Sequence, residues 1–198
     1  MAGILVRAMR VSFVGESGWE FFFKADQAEY VCGVFMGAGA KPAGLFAQSS
    51  MRIEKRFAVM GHELDGDVTP LEAGLEFAID WEKDFIGREA LLRKREEDLS
   101  QSLVTIALDD RQAVPLGNEP VLKDDEIIGK TTSASFGYRI GSPLALAYLN
   151  PDRLNHQDQE TVQVDIAGQH FSGSVFQKAA FDPSGKKMRI FQNIFDPI

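Results

Sequence analysis

One cysteine, Cys32, is all the sequence holds. That excludes an internal disulfide framework and a multi-cysteine metal site, and it suits a reducing compartment. Histidine is almost as scarce. None of His62, His156 and His170 has a second His, Cys or carboxylate at a recognised metal-ligand spacing. No apolar run approaches the ~20 residues a membrane helix needs, and the apolar stretch within Met1 to Arg10 is shorter than a signal-peptide core. Positive charge is in deficit. The 21 Lys and Arg face 29 Asp and Glu, a formal net charge of -8, which argues against nucleic acid or an anionic membrane as partner. Repeats and low-complexity segments are missing too. No nucleophile elbow or dinucleotide fingerprint occurs. Gly15-Glu16-Ser17-Gly18 is no phosphate loop, because it lacks the following Lys-Ser/Thr and sits between two strand-like runs. A soluble, cytoplasmic globular protein is expected, with room for one large domain or two small ones.

What is present is a mixture of helix and strand signals. Met9, Val11 and Phe13 alternate with polar neighbours, and Trp19 to Phe23 is rich in strand formers, so two strands around the Gly15–Gly18 turn are predicted. Asp26 with Glu29 resembles a capping box opening a helix that Gly37 and Gly39 close. Cys32 falls at helical spacing with Val31, Phe35 and Met36, and is expected to pack in a core instead of acting as a reactive thiol. Pro42 opens a second helix to about Ile53, with Leu45 and Met51 inward. Glu76 to Trp81 alternates like a strand. A third helix runs from Arg88 to about Asp98, with a solvated, mixed-sign outer face. From Leu103 onward, short strands alternate with turns at Lys123–Glu126 and Ala167-Gly168, predicting a small barrel or sandwich. The change of pattern sets a domain boundary near Ser100, giving units 1–99 and 100–198. The fold class is α+β.

The chain shows no complete catalytic constellation of its own. His156 sits in a polar loop and His170 on the outer face of a strand. His62, in Gly61-His62-Glu63-Leu64, stays open between a structural and a site role. Glu20 stands among Trp19, Phe21, Phe22 and Phe23. By residue type alone it is expected to be exposed.

Phe13-Val-Gly-Glu-Ser-Gly-Trp-Glu20 resembles the aromatic-x-Gly-Glu-x-Gly-x-Glu signature of the glycine cleavage T-protein (aminomethyltransferase) family. Further segments similar to that family follow in order: 41–45, 50–55, 61–64, 69–75, 84–91 and 129–133. The resemblance runs from about residue 8 to about residue 190. Met51–Lys55 and Lys83–Arg88 look closest to the folate-binding part of dimethylglycine and sarcosine dehydrogenases, where a one-carbon unit passes from a methylated amine to tetrahydrofolate.

The resemblance implies a partial folate-binding core over 1–99 and the family's C-terminal β-barrel over 100–198. It implies tetrahydrofolate as cofactor, and FAD only through a separate flavin domain. Glu20 stands where the family's glutamate holds the pterin ring, which presents two adjacent N–H donors that one carboxylate can accept. The neighbouring aromatics, Trp19 among them, would wall the pocket. Phe13 stands where Tyr is common and keeps the packing without the hydroxyl. Gln48 stands where aminomethyltransferases carry Arg, which removes a charge partner. Arg52 and Glu54 match the family's Arg-x-Glu and project differently from a helix; the resemblance implies Glu20, Phe13, Trp19, Gln48 and Arg52 as the folate-binding residues, with a structural ion pair the plain reading for Arg52, as for Arg88 with Glu89. No catalytic residue is assigned and no metal is expected. The family unit has a further stretch before the Phe13 region, carrying the acidic residue that meets the reacting nitrogen. The chain is therefore expected to be a portion of a larger enzyme, an expressed fragment or a truncated reading frame, binding folate weakly alone and not turning over. Its partners would be folate, an upstream segment or flavin domain, and a second copy of itself through an uncovered sheet edge. The competing expectation is a non-catalytic assembly domain that kept only the fold.

Overall fold

The computed structural model describes residues 3–155 and 159–189; the expectation for His156 lies outside them. Arg7–Met9 (β1) pairs antiparallel with Glu20–Phe22 (β2), with Arg7 opposite Phe22 and Met9 opposite Glu20. The expected first strand through Val11 and Phe13 is corrected: pairing stops at Met9, and residues 10–19 form a loop. Gly15 explains part of this. It sits at φ +73° in the left-handed region, and a Cβ there would lie 2.1 Å from Lys55 Cγ. Only glycine lets the loop pass that side chain.

A 3-10 turn at Ala25–Gln27 leads into helix α1, Ala28–Gly37. Asp26 lies inside that turn, and the helix is preceded by Gln27 without a side-chain cap, so the expected capping box does not form. Cys32 is exposed, contrary to its expected place in a core. Only Val31 of α1 is buried.

Helix α2, Leu45–Glu54, turns a polar face inward. Leu45 is 79% exposed and Met51 only partly buried, whereas Ser50, Arg52, Ile53 and Glu54 are buried. The expected apolar inner side is thus corrected. That face meets carbonyls and charges of the barrel, and buried polar groups persist where partners satisfy them. Ser50 Oγ donates to Phe136 O at 2.6 Å. Glu76 to Trp81 is also not a strand. Glu76–Ala78 is a 3-10 turn whose amides bond locally, Ala78 N to Leu75 O at 2.9 Å and Ile79 N to Glu76 O at 3.0 Å. Helix α3, Arg88–Arg95, is solvated, with the Arg95 guanidinium 4.9 Å from the Trp81 ring centre.

The remainder is a closed antiparallel barrel of Ser102–Leu108 (β3), Pro120–Lys123 (β4), Glu126–Gly137 (β5), Ser142–Leu149 (β6), Glu160–Ile166 (β7) and Gln169–Phe176 (β8). The strand order is β3-β6-β5-β4-β7-β8, with β8 closing on β3. Closure leaves the barrel no free edge. Its two tight hairpins need left-handed residues and have them: Asp124 and Asp125 at φ 51° and 63°, Ala167 and Gly168 at φ 53° and 82°.

Val104, Ile106, Ala147, Leu149, Val164 and Val175 are among the residues that fill the interior. Strand β6 is apolar on both faces because both are buried. Its alternate residues Leu144, Leu146 and Tyr148 pack outward with Leu103 and Ile53 of α2. The outer wall of β3 and β6 is therefore the seat of the helical part.

Candidate functional site

Glu20 sits at the start of β2 on its exposed face, with Phe22 two residues on and Met9 and Arg7 across the ladder. Among the described residues its carboxylate has no ion pair and no side-chain hydrogen bond. Trp19 beside it is 56% exposed and Phe22 49% exposed. Phe21 points to the other side, where its ring lies 4.9 Å from that of Phe35 on α1. The carboxylate, the Trp19 ring and the Phe22 ring are all open to a ligand. A two-donor edge fits this carboxylate, because its acceptor sites are not already used within the chain.

The loop before Glu20 is pinned from outside. Arg139, just after β5, reaches back with Nη1 2.8 Å from Glu16 Oε1 and Nη2 3.0 Å from Met51 O. Its Nε donates to Glu54 Oε2, and its backbone N–H donates to Glu54 Oε1 at 2.6 Å. Its guanidinium carbon stands 4.0 Å from the Phe181 ring centre. Glu54 is only 1% exposed, so this is a buried carboxylate with its cation supplied by the barrel.

The other residues singled out by sequence scatter. Arg52 is buried and donates from Nη1 to Glu63 Oε2 at 3.0 Å and to Phe57 O at 3.2 Å. Glu63, fully buried, also accepts from Val59 N at 3.0 Å and from Thr132 Oγ1 of the barrel at 2.7 Å. The buried Tyr148 hydroxyl donates to Glu63 O at 2.8 Å; burial, with Glu63, Glu72 and Asp65 nearby, pushes its pKa well up, so it stays protonated. Arg52 thus sits in the seam between α2 and the barrel. Gln48 is exposed on α2. Arg88 pairs with Glu89 at 3.3 Å and donates to Trp81 O. His62 is exposed and lines a polar recess with Asp65 and Lys130; His170, also exposed, faces Asp165 across the β7–β8 ladder.

Phe13 stacks on Phe57, centroids 6.4 Å apart and planes 22° apart. Both rings line a cleft of about 620 Å³ between the helical part and residues 178–189, and Glu20 is not in its lining. Arg56 also lines it, and donates to Leu103 O at 2.9 Å and Gln177 O at 2.5 Å. Burial lowers the Arg56 pKa, but it remains a cation. Sequence reasoning missed Arg139 and Arg56 as anchors. Their hydrogen-bonded partners lie 47 to 125 positions away, so no spacing could reveal them.

No helix among the described residues is long and apolar enough to cross a membrane. Residues 1–83 match the family model described as the GCVT N-terminal domain, and residues 101–182 that of the glycine cleavage T-protein C-terminal barrel domain. The chain is 34% identical over 184 residues to the mitochondrial dimethylglycine dehydrogenase of Homo sapiens, covering 90% of this chain and 21% of that protein. It is 38% identical over 152 residues to the aminomethyltransferase of Listeria monocytogenes serotype 4a, covering 76% of this chain and 42% of that protein. The chain thus spans about a fifth to two fifths of these relatives. In structure it is similar to the glycine cleavage system aminomethyltransferase T of Bartonella henselae, with a TM-score of 0.81 at 24% identity over 89% of this chain and 50% of the other. That likeness shows the fold, the helical part and the closed barrel alike, and the two matching family models show that the chain belongs to the glycine cleavage T-protein family.

Proposed function

We propose that the chain supplies the pterin-holding face of a tetrahydrofolate-dependent enzyme that transfers one-carbon units from a methylated amine. The observation that carries this reading is the Glu20 carboxylate, unpartnered among the described residues and presented from a paired strand next to the exposed Trp19 and Phe22. Glu20 accepts the adjacent N3–H and 2-amino hydrogens of the pterin, and the two rings exclude water from those bonds. Tetrahydrofolate, when bound, supplies the nitrogen that takes the one-carbon unit. The chain's own part is orientation, the largest share of catalysis in such transfers. In this reading residues 1–99 are the folate-binding portion and residues 100–198 the barrel that braces it. Gln48 in place of Arg favours a dehydrogenase-type member over a glycine-cleavage enzyme. Arg52 acts as a brace under the site, since its guanidinium is engaged in the seam.

Calorimetric titration with a reduced folate, wild type beside Glu20→Gln, tests this. Binding that disappears in Glu20→Gln supports it. Binding unaffected by the substitution sinks it.

A second reading has its own observation. Leu5 is 95% exposed, and Trp19 and Phe22 stand open near the same two-stranded sheet. Apolar side chains on a two-stranded sheet are a surface for another chain, and a second copy is the available one. The chain is then an assembly domain that keeps the fold. Concentration-dependent sedimentation that Trp19→Ser with Phe22→Ser abolishes, together with no folate binding, selects this reading.

A further inference from the structure

The polar recess that holds His62 is walled by elements of opposite charge. The loop after Gly61 brings Asp65 and Asp67 beside His62. The barrel contributes Lys130 and Thr132 of β5 and, opposite Lys130, Tyr148 of β6. Asn118 and Gln101 add two side-chain amides, and the cavity measures about 260 Å³. Opposite charges within reach attract and pair. These do not meet: Lys130 has no ion pair with Asp65, Asp67 or any other carboxylate among the described residues. Asp65 Oδ1 accepts from Asp67 N at 2.9 Å. The side chains of Asp67, Asn118 and Gln101 have no hydrogen bond among the described residues. Both signs of charge are therefore held open in one recess.

Burial divides that recess into floor and rim. Tyr148 is buried and Thr132 half-buried, and both donate their hydroxyl hydrogens to Glu63, Tyr148 to the backbone O at 2.8 Å and Thr132 to Oε1 at 2.7 Å. What they offer the cavity is oxygen lone pairs. The local field is negative, since Glu63, Glu72 and Asp65 all act to raise the Tyr148 pKa. An ammonium, with three donors and no acceptor, suits that floor and the Asp65 carboxylate near it. The rim is different. Lys130 and Asn118 are exposed and Gln101 is half-buried. Each presents N–H donors, as the His62 imidazole does, and such donors suit a carboxylate. A plain cation would leave Lys130 unanswered, and a plain anion would meet Asp65 and Asp67.

We infer that this recess binds a small α-amino acid as its zwitterion, the ammonium on Tyr148, Thr132 and Asp65 and the carboxylate toward Lys130 and Asn118. Val68, the one aliphatic side chain in the lining, and the small volume select a short apolar side chain. The inference does not rest on the pterin reading, because Glu20, Trp19 and Phe22 take no part in the lining. The recess is also distinct from a place for a methylated amine, because each N-methyl group removes a donor that the floor accepts. Binding there bridges the loop after Gly61 to the barrel.

The test is calorimetric titration of the full chain with L-alanine, beside its two halves, propionate and ethylammonium, and beside N,N-dimethyl-L-alanine. It is repeated in Asp65→Asn/Asp67→Asn, in Lys130→Gln and in Glu20→Gln. Asp65, Asp67 and Lys130 are exposed, so their variants should fold as wild type does, which circular dichroism checks. L-Alanine should bind at least about tenfold more tightly than either half or the dimethyl form. It should lose about tenfold in Asp65→Asn/Asp67→Asn and in Lys130→Gln, and weaken as salt is raised. Glu20→Gln should bind it as wild type does, so failure of the pterin reading would leave this result standing. Propionate binding as tightly as L-alanine would reduce the recess to an anion site, and ethylammonium doing so would reduce it to a cation site; either overturns the inference. Equal binding of the dimethyl form, affinities unchanged in both recess variants, or no saturable binding of L-alanine at about 10 mM overturns it as well.

Discussion

Arg139 Nη1 lies 2.8 Å from Glu16 Oε1, across 123 positions of sequence. With a longer bond from Nη2 to Val14 O at 3.5 Å, this contact ties the loop that delivers Glu20 to the rim of the barrel. The same guanidinium also holds buried Glu54 at the end of α2 and stacks over Phe181. Loop, helix and barrel therefore share a single cation.

Arg139→Gln should lower stability by about 2–3 kcal/mol, chiefly because Glu54 stays buried with only two backbone donors left, Arg139 N and Ile140 N. The Glu16 contact is partly exposed and should contribute only about 0.5–1 kcal/mol. A double-mutant cycle of Arg139→Gln with Glu16→Gln, read by urea unfolding, isolates that smaller term. Additive losses would mean the loop is not held through this pair. Hydrogen exchange over residues 12–20 should accelerate in both single variants.

The Arg52–Glu63 pair is buried on both sides, with side chains 7% and 0% exposed. Removing one partner strands the other charge. Glu63→Gln should cost about 3–5 kcal/mol, while Arg52→Met/Glu63→Leu together should recover much of it. Midpoints of guanidinium unfolding would show this ordering. A double variant no more stable than Glu63→Gln would mean that the bonds from Thr132 and Val59 matter more than the pair.

Much of the barrel was legible in sequence, because its signals are local. The alternation of Val162, Val164 and Ile166 and the turn at Lys123–Glu126 need only a few neighbours to be read, and the β4–β5 hairpin and β7 stand there. The helical part was less legible. Its packing is decided by distant partners, so α2 buries Ser50 and Glu54 against polar groups of β5 and its following turn, and Arg52 against Glu63, while Leu45 and Phe46 face out. Hydrophobic periodicity reads such a helix backward. Cys32 was misplaced for a related reason: α1 buries only Val31, so helical spacing overstated how much of it meets a core. The motif around Glu20 was readable as a resemblance. The cleft was not, because its cations come from residues 55–56, 178 and 189 and meet only in the fold.

Gly129 is a sharp test of the barrel seam. A Cβ there would fall 2.0 Å from Tyr148 O and 2.9 Å from Leu149 Cα, both backbone atoms of β6 that cannot step aside. Gly129→Ala should destabilise by about 3 kcal/mol or more. Gly66, with nothing within 4 Å of a built Cβ, is the control. Gly66→Ala should be neutral or stabilising by up to about 1 kcal/mol. Thermal melts of the two variants should diverge widely, and similar melting temperatures would contradict the packing described between β5 and β6.

Acid should loosen the seam through Glu72. Burial acts to raise its pKa, but Thr69 N–H, Thr69 Oγ1 and Ser100 Oγ all donate to the carboxylate, Lys94 adds positive charge, and together they hold it below its usual 4.5. The carboxyl therefore binds its proton more readily in the unfolded chain. Its contribution to stability is complete above the unfolded value and fades as pH falls through the folded one. Asp182 behaves the same way: burial works upward, while the amides of Lys187 and Lys186 and the Lys55 ammonium draw its pKa down. Melting temperature should fall as pH is lowered from about 5 to about 3, the window those directions define. Glu72→Gln should cost about 1–2 kcal/mol at neutral pH and show a shallower fall, so that the two curves converge in acid. Parallel curves would mean that Glu72 keeps its ordinary affinity for protons, and that the bonds from Thr69 and Ser100 do not favour its charged form.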